Sequence, residues 1–179
     1  MKINRIVPSL LRQGDQVSVV APSGYVKESS TKSAIAMLES WGLKVIEGKS
    51  LYKREGIFAG SDSERLEDLQ EAINNRDVKA LICARGGYGL SRIVDKLDLS
   101  GLAAYPKWVA GFSDITVLHY YIMKQVGIPV IHSAMLLNFG RGNDSVAVSS
   151  LRDILFTGSS SFQWDSDKLI QGEVRADLV

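Results

Sequence analysis

The chain has 179 residues, a formal net charge of +1, and a composition that is 45% hydrophobic and 23% charged. This length suits one ordinary domain with the start of a second, and the apolar content is sufficient for a packed core, which excludes a disordered chain. The near-neutral charge, without a cluster of Lys and Arg, argues against nucleic acid or an anionic membrane as the main partner, and no segment has the length of a membrane span.

Short apolar runs alternate with longer stretches of helical period along the chain. The first strand is predicted at residues 16–21, and it ends at the turn signal Pro22-Ser23-Gly24. A helix is predicted at residues 33–41 because its apolar residues recur about once per turn, and Gly42 ends it as a C-cap. A second strand follows at residues 43–46.

The second half of the pattern begins with Ser61 and Glu64, which have the spacing of a capping box at the start of a helix. The third strand, at residues 78–84, leads into the segment Arg85-Gly86-Gly87-Tyr88-Gly89. The remaining predicted elements are a helix through residues 93–97, a strand at 107–110, a helix after Ser113, a strand at 128–131 and a helix at 146–156.

Apolar strands without regular alternation of polar residues, each followed by a helix, indicate a parallel sheet covered on both faces. Right-handed crossovers then favour a flavodoxin-like, doubly wound α/β fold with three layers, in which sites lie at the carboxyl ends of the strands. We predict this domain at residues 1–157. Residues 158–179 resemble a linker, with Trp164 as a docking anchor, and the start of a second domain that is absent or truncated.

Residues 109–116, VAGFSDIT, are the most informative segment because a predicted strand passes through Gly-x-Ser directly into a helix. This order resembles a nucleophile elbow, although Ile115 stands where that motif has its second glycine. Such a turn exposes the Ser113 hydroxyl and places the Asp114 backbone N–H at a helix N-terminus, where it can stabilise an oxyanion. Ser113 could equally serve only as the N-cap of the helix.

The glycine segment at residues 85–89 is a second candidate for ligand binding. Glycines allow backbone amides to approach a ligand closely, but a tight turn between strand and helix explains the segment as well. Both nucleotide-binding glycine fingerprints are absent. Ser23, in the loop after the first strand, has the same two interpretations, as a ligand contact or a turn residue.

A serine nucleophile needs a general base, and the sequence has two histidines. His119 lies about two turns beyond Ser113 on the same predicted helix, so we expect it to be a packed or an exposed helix histidine rather than the base. His132 ends the fifth predicted strand and has two interpretations. It lines the site as a candidate base, or it is a hydrogen-bonded histidine at a strand end.

Metal-ligand spacing is absent, and we expect no metal and no cofactor. Cys83, the single cysteine, lies in the third predicted strand and is expected to be a buried, inert thiol. The N-terminus lacks the features of a signal peptide, which favours a cytoplasmic location.

Five segments occur in a fixed order and spacing over roughly residues 8–135. They are Gly14-Asp15 with residues 19–24, residues 58–62 with Arg65 and Asp68-Leu69, residues 85–89 with Arg92, residues 111–116 with Leu118-His119, and Ile131-His132. Together these segments resemble the LD-carboxypeptidases, the family of muramoyl-tetrapeptide carboxypeptidases and microcin-immunity peptidases.

The resemblance implies metal-free hydrolysis of an amide between an L-centre and a D-residue, commonly the release of terminal D-alanine from a cytoplasmic murein tetrapeptide. It implies that Ser113 is the nucleophile and that the backbone N–H groups of Asp114 and Gly87 form the oxyanion hole. It also implies that the Glu and His of the catalytic triad belong to a C-terminal domain. Further candidates for the substrate cleft are Ser23, Arg85, Gly86, Tyr88 and His132.

Residues 172–179 resemble the family's passage into that second domain, although Ala176-Asp177 stands where Gly-Asn is expected. Without the family Glu and His, the chain is expected to have little or no peptidase activity. It is also expected to expose an apolar face and to self-associate as a homodimer. The main alternative is a non-catalytic domain that binds a peptide-like small molecule, and the combined motifs disfavour an unrelated nucleotide or flavin binder.

Overall fold

The computed structural model describes residues 6–139 and 146–161, which contain five strands and five α-helices. The strands are β1 (Gln16–Val20), β2 (Lys44–Glu47), β3 (Val78–Cys83), β4 (Trp108–Gly111) and β5 (Ile131–His132). The helices are α1 (Lys32–Ser40), α2 (Asp62–Asn74), α3 (Ser100–Ala104), α4 (Thr116–Gln125) and α5 (Val146–Thr157).

The strands form one sheet in the order β2-β1-β3-β4-β5, and all neighbouring strands are parallel. This order confirms the predicted flavodoxin-like fold. The chain adds β2 on one side of β1 and all later strands on the other, so the order reverses between β1 and β3. Ligands of such sheets bind outside the carboxyl ends of the strands at this reversal.

Each face of the sheet carries its own apolar core. Successive residues of β3 enter opposite layers, because Ala80 and Ile82 pack with α1 and α5 whereas Leu81 and Cys83 pack with α2 and α4. From Ala80 onwards β3 is buried on both faces, which explains the continuous apolar sequence of these four residues. Burial raises the pKa of the Cys83 thiol to about 12, and this thiol is therefore buried and protonated, as predicted.

Two predicted elements differ in the structure, and the short helix α3 (Ser100–Ala104) has no counterpart among the predicted elements. The segment predicted as a helix at residues 93–97 contains instead a 3₁₀ turn, Val94–Lys96, which follows another 3₁₀ turn at Leu90–Arg92. Leu90 and Ile93 lie three residues apart, and so do Val94 and Leu97, which matches three residues per turn within each 3₁₀ turn. The fifth strand has only two residues and begins at Ile131 rather than at residue 128, because Pro129 has no N–H to donate to a ladder.

Both ends of α2 are fixed by side chains. At the start, the Ser61 hydroxyl accepts from the Glu64 N–H at 3.3 Å and the Glu64 carboxylate accepts from the Ser61 N–H at 2.8 Å, which confirms the predicted capping box. At the other end, Lys107 is fully buried and its Nζ donates to three backbone carbonyls, those of Ala72, Ile73 and Asn75, at 3.1, 2.8 and 2.6 Å.

The final predicted helix is confirmed as α5, whereas Trp164 and residues 162–179 lie outside the described residues. Within residues 6–139 and 146–161, none of the helices is long and apolar enough to cross a membrane.

Replacing Lys107 by Met should lower the free energy of unfolding by about 3 kcal/mol, because three buried carbonyls lose a charged donor. Urea denaturation measures this change. Lys44→Met is the matched control, since Lys44 is an exposed strand lysine, and it should unfold within about 0.5 kcal/mol of the parent chain. Equal midpoints for the two variants would contradict the capping role of Lys107.

Candidate active site

Ser113 lies at the turn between β4 and α4 with an unusual backbone. It is the one non-glycine residue in the described part of the chain with a positive φ, 61°. It begins a 3₁₀ turn, Ser113–Ile115, that runs directly into α4, and its side chain is exposed. A left-handed conformation costs a serine about 1–2 kcal/mol, and such strained residues concentrate at functional sites.

The glycine of the Gly-x-Ser segment permits this sharp turn. A Cβ atom at Gly111 would lie 2.9 Å from Cγ2 of Ile115, so only glycine lets the chain fold back over the end of β4. Ser113 does not act as an N-cap, because the N-cap positions of the 3₁₀ turn and of α4 are Phe112 and Ile115. The capping alternative for Ser113 is therefore wrong.

The glycine loop after β3 lies directly against this turn. A Cβ at Gly86 would lie 2.9 Å from the Ser113 Cβ, 3.2 Å from its Oγ and 3.3 Å from the Asp114 nitrogen. The absent side chain thus leaves space beside both the hydroxyl and the Asp114 N–H. Any larger residue at position 86 would occupy that space.

The peptide between Gly86 and Gly87 has a fixed orientation. The Gly86 carbonyl accepts from the Gly24 N–H at 3.2 Å, in the loop after β1. Because the carbonyl and N–H of a trans peptide point in opposite directions, the Gly87 N–H points away from that loop. Within the described part of the chain, neither this N–H nor that of Asp114 donates to a backbone carbonyl.

A cleft of about 330 Å³ opens in front of Ser113. It is formed by the loops after β3, β4 and β5, at the carboxyl edge of the sheet. Its lining residues are Arg85, Gly86, Gly87, Phe112, Ser113, Met135, Leu137 and Asn138.

The structure brings some of the predicted site residues to this cleft and leaves others away from it. Arg85 lines it, and its Nη1 donates to the Tyr25 carbonyl at 3.2 Å. Tyr88 is exposed and packs against Phe58 instead, with ring centroids 6.1 Å apart. Ser23 is fully buried behind the cleft, where its hydroxyl donates to the Asp114 carboxylate at 2.6 Å. Ser23 therefore has a supporting position rather than a place on the cleft surface.

Neither histidine contacts the Ser113 hydroxyl within the described residues. His119 is a buried residue of α4, so it is packed rather than exposed, and its Nε2 has no hydrogen-bond partner among the described residues. Burial, with a smaller contribution from His132, lowers the pKa of His119 to about 4. His132 is exposed beside Phe112, with ring centroids 6.2 Å apart, and does not line the cleft. The structure thus gives neither ring the position of a general base.

Sequence reasoning missed the cleft wall that follows β5 and a buried arginine. That wall is formed by Met135, Leu137 and Asn138. Their position shortly after the end of a predicted strand is the sequence feature that indicates a place at the cleft. Arg65 is fully buried in α2 and donates through Nη1 to the carbonyls of Pro22, at 2.6 Å, and Gly89, at 3.1 Å. Its place on the apolar stripe, one turn before Leu69, was the signal for its burial.

The described residues contain no group of three or more His, Cys, Asp or Glu side chains that could hold a metal ion. The polar groups at the cleft are a serine hydroxyl, backbone amides, one guanidinium and one carboxamide. What these groups offer is a nucleophile and hydrogen-bond donors.

The structural class of this protein is defined by two features. It is a flavodoxin-like α/β domain, and a serine with a left-handed backbone lies between a strand and a helix, opposite a glycine loop. The family model described as the LD-carboxypeptidase N-terminal domain matches residues 17–133. The chain belongs to this family, and the resemblance drawn from its motifs is confirmed.

Individual relatives agree with this assignment. The probable murein peptide carboxypeptidase of Bacillus subtilis strain 168 is 41% identical over 129 residues, which are 72% of this chain and 40% of that protein. The murein tetrapeptide carboxypeptidase of Pseudomonas aeruginosa strain PAO1 is 33% identical over 126 residues, 70% of this chain and 41% of that protein.

A crystal structure of an MccF-like protein from Bacillus anthracis strain Ames superposes on this chain with a TM-score of 0.78 at 26% sequence identity. The superposed part is 84% of this chain and 47% of that protein. The chain therefore spans less than half the length of each of these three relatives.

Replacing Ser113 by Gly should raise the thermal midpoint above that of Ser113→Ala. Both variants lose the hydroxyl, but only glycine relieves the strain of the left-handed backbone. This relief exceeds the cost of the larger conformational entropy that glycine gives the unfolded chain by up to about 1 kcal/mol. Differential scanning calorimetry compares the two directly. An alanine variant as stable as the glycine variant would show that position 113 is unstrained.

The unfolding free energy should fall as the pH drops from about 6.5 to about 4, because the unfolded chain protonates His119 while the folded chain excludes that proton. His119→Gln should flatten this acid limb, as measured by urea denaturation across that pH range. His132→Gln, at the exposed histidine, removes only the smaller contribution to the lowered pKa of His119 and should change the slope less than His119→Gln does. An unchanged slope in His119→Gln would show that this ring is protonated in the folded chain.

Proposed function

We propose that the protein acts as a serine-type LD-carboxypeptidase, which hydrolyses the amide between an L-centre and a D-residue. One observation carries the proposal: Ser113 is exposed in a left-handed conformation at the turn from β4 to α4, with the space in front of it kept open by Gly86. A packed or capping serine needs neither the strain nor the open space.

The backbone amides beside Ser113 support the oxyanion hole that the family resemblance implies. The Asp114 N–H lies in the first turn of a helix, where backbone donors lack helical partners. The Gly87 N–H points away from the β1 loop and is left for a ligand. Each such donor, aimed at the oxygen of a tetrahedral intermediate, contributes about 3 kcal/mol to transition-state stabilisation.

In the proposed reaction, the Ser113 oxygen attacks the carbonyl carbon of the scissile amide, and the hydroxyl proton passes to a general base. The amide C–N bond then breaks, the amine leaves with a proton, and water releases the acyl group. In residues 6–139 and 146–161 no histidine is placed to take the first proton. We therefore expect these residues alone to hydrolyse peptides several orders of magnitude more slowly than a complete triad.

The substrate class we favour is a murein peptide that ends in D-alanine, as the names of the Bacillus and Pseudomonas relatives suggest. Arg85 is the one charged side chain that lines the cleft in the described part of the chain, and it suits a peptide carrying carboxylates. A cytoplasmic role in peptidoglycan recycling belongs to the same proposal. Self-association as a homodimer and the domain boundary near residue 157 stay predictions.

A second candidate is a non-catalytic domain that binds a peptide-like small molecule. The observation that favours it is the lack of contact between Ser113 and either histidine. The cleft and its amides would serve such binding unchanged. The two functions therefore differ in turnover, and not in ligand affinity.

Ser113→Ala should abolish D-alanine release from the peptide L-Ala-γ-D-Glu-meso-diaminopimelate-D-Ala when the complete gene product is assayed. The expected loss is at least about 10⁴-fold in kcat, because the nucleophile is removed. Released D-alanine is quantified with a D-amino acid oxidase assay. Ser133→Ala, at a half-buried serine after β5, is the matched control and should retain full activity.

Two outcomes would contradict this proposal in different ways. Undiminished release by Ser113→Ala would remove this serine from the chemistry. A parent protein that binds the tetrapeptide without releasing D-alanine would instead support the binding domain, and isothermal titration calorimetry on the same samples would reveal it.

A further inference from the structure

The carboxylate of Asp114 reaches away from its own helix to two neighbouring loops. Its Oδ2 accepts a hydrogen bond from the Ser23 hydroxyl at 2.6 Å and another from the Leu90 N–H at 3.0 Å. Both donors belong to fully buried residues. A single oxygen atom therefore connects the loops that follow β1, β3 and β4, three adjacent strands of the sheet.

This contact is not an ordinary helix cap. An acidic residue in the first turn is favourable because of the helix dipole, and its carboxylate commonly accepts from the amides of that same turn. Here neither the 3₁₀ turn that contains Asp114 nor α4 has a side-chain capping bond. Both hydrogen bonds of the carboxylate instead go to the loops after β1 and β3.

The glycine loop is held at both of its ends by such contacts. At its start, the Gly86 carbonyl accepts from the Gly24 N–H at 3.2 Å. At its end, the Gly89 carbonyl accepts from Arg65 at 3.1 Å and the next N–H, of Leu90, donates to Asp114. Gly87 and Gly89 have φ values of 119° and 136°, so the loop has no regular structure that would hold it otherwise.

We propose that Asp114 is a positioning residue for the hydrolytic reaction: its carboxylate holds the glycine loop against the serine turn, so that the amides of Gly87 and Asp114 face one oxyanion. This inference rests on the function proposed above. The Asp114 backbone supplies one donor, and its side chain fixes the loop that supplies the other. Position 114 thus sets the separation between the two donors.

The test compares Asp114→Ala with Asp114→Asn in the complete gene product. Both variants lose the charge near the helix N-terminus, but the amide oxygen of asparagine can still accept from both donors. We expect kcat for D-alanine release to fall about 100-fold in Asp114→Ala, because oxyanion donors misplaced by about 1 Å lose their effect. KM should change less than about threefold, and Asp114→Asn should restore most of kcat.

Asp98→Ala is the matched control. Asp98 also accepts from one serine hydroxyl and one backbone N–H, both of Ser100, but it is exposed and does not line the cleft. It should leave kcat and KM unchanged. Ser23→Ala provides a second route if Asp114→Ala does not fold, because it removes one of the two donors and should lower kcat less than Asp114→Ala does, again without raising KM.

Failure of this inference differs from failure of the proposed function. If Ser113→Ala is inactive while Asp114→Ala and Ser23→Ala keep the parent kcat, the positioning role is overturned and the serine mechanism stands. A fall in kcat that near-UV circular dichroism explains entirely by unfolded protein would also overturn it. Activity in Ser113→Ala would remove the mechanism on which the inference rests.

Discussion

The strained backbone of Ser113 is the constraint on which the rest of this structure depends. A left-handed serine costs about 1–2 kcal/mol and persists only where its surroundings leave the chain no alternative. Three features impose it here: buried β4 fixes the entry, α4 fixes the exit, and Gly111 allows Ile115 to fold back over the strand end. The exposed hydroxyl is a consequence of this packing.

The sheet order explains why three loops meet at this serine. Because β1, β3 and β4 are adjacent and parallel, their carboxyl ends open at one edge, and the loops that follow them approach within hydrogen-bonding distance. Two glycines permit this contact, since a Cβ at Gly24 would lie 2.9 Å from the Gly86 carbonyl and a Cβ at Gly86 would meet Ser113. Ser23 and Asp114 then supply the polar bond between the closely approaching backbones.

Two buried cations hold helix α2, one near each of its ends. Arg65 donates to the Pro22 carbonyl, in the loop after β1, and to the Gly89 carbonyl, at the end of the glycine loop. Lys107, which directly precedes β4, caps the last carbonyls of α2. Buried charges are costly unless their donors are satisfied, and here backbone carbonyls satisfy most of them. Arg65 thus connects the scaffold to the loops that build the candidate site, whereas Lys107 holds the opposite end of α2, where the chain enters β3.

The amino-acid sequence by itself determined the parallel sheet, the capping box of α2, the serine turn and the family, because apolar periodicity, cap residues and local motifs are properties of neighbouring residues. Several features were decided only by the tertiary structure. They include the burial of Ser23, the exposure of His132 and the contact of Asp114 with Leu90. Each of these depends on which loops the sheet order brings together, and residues far apart in the chain carry no local signal of that proximity.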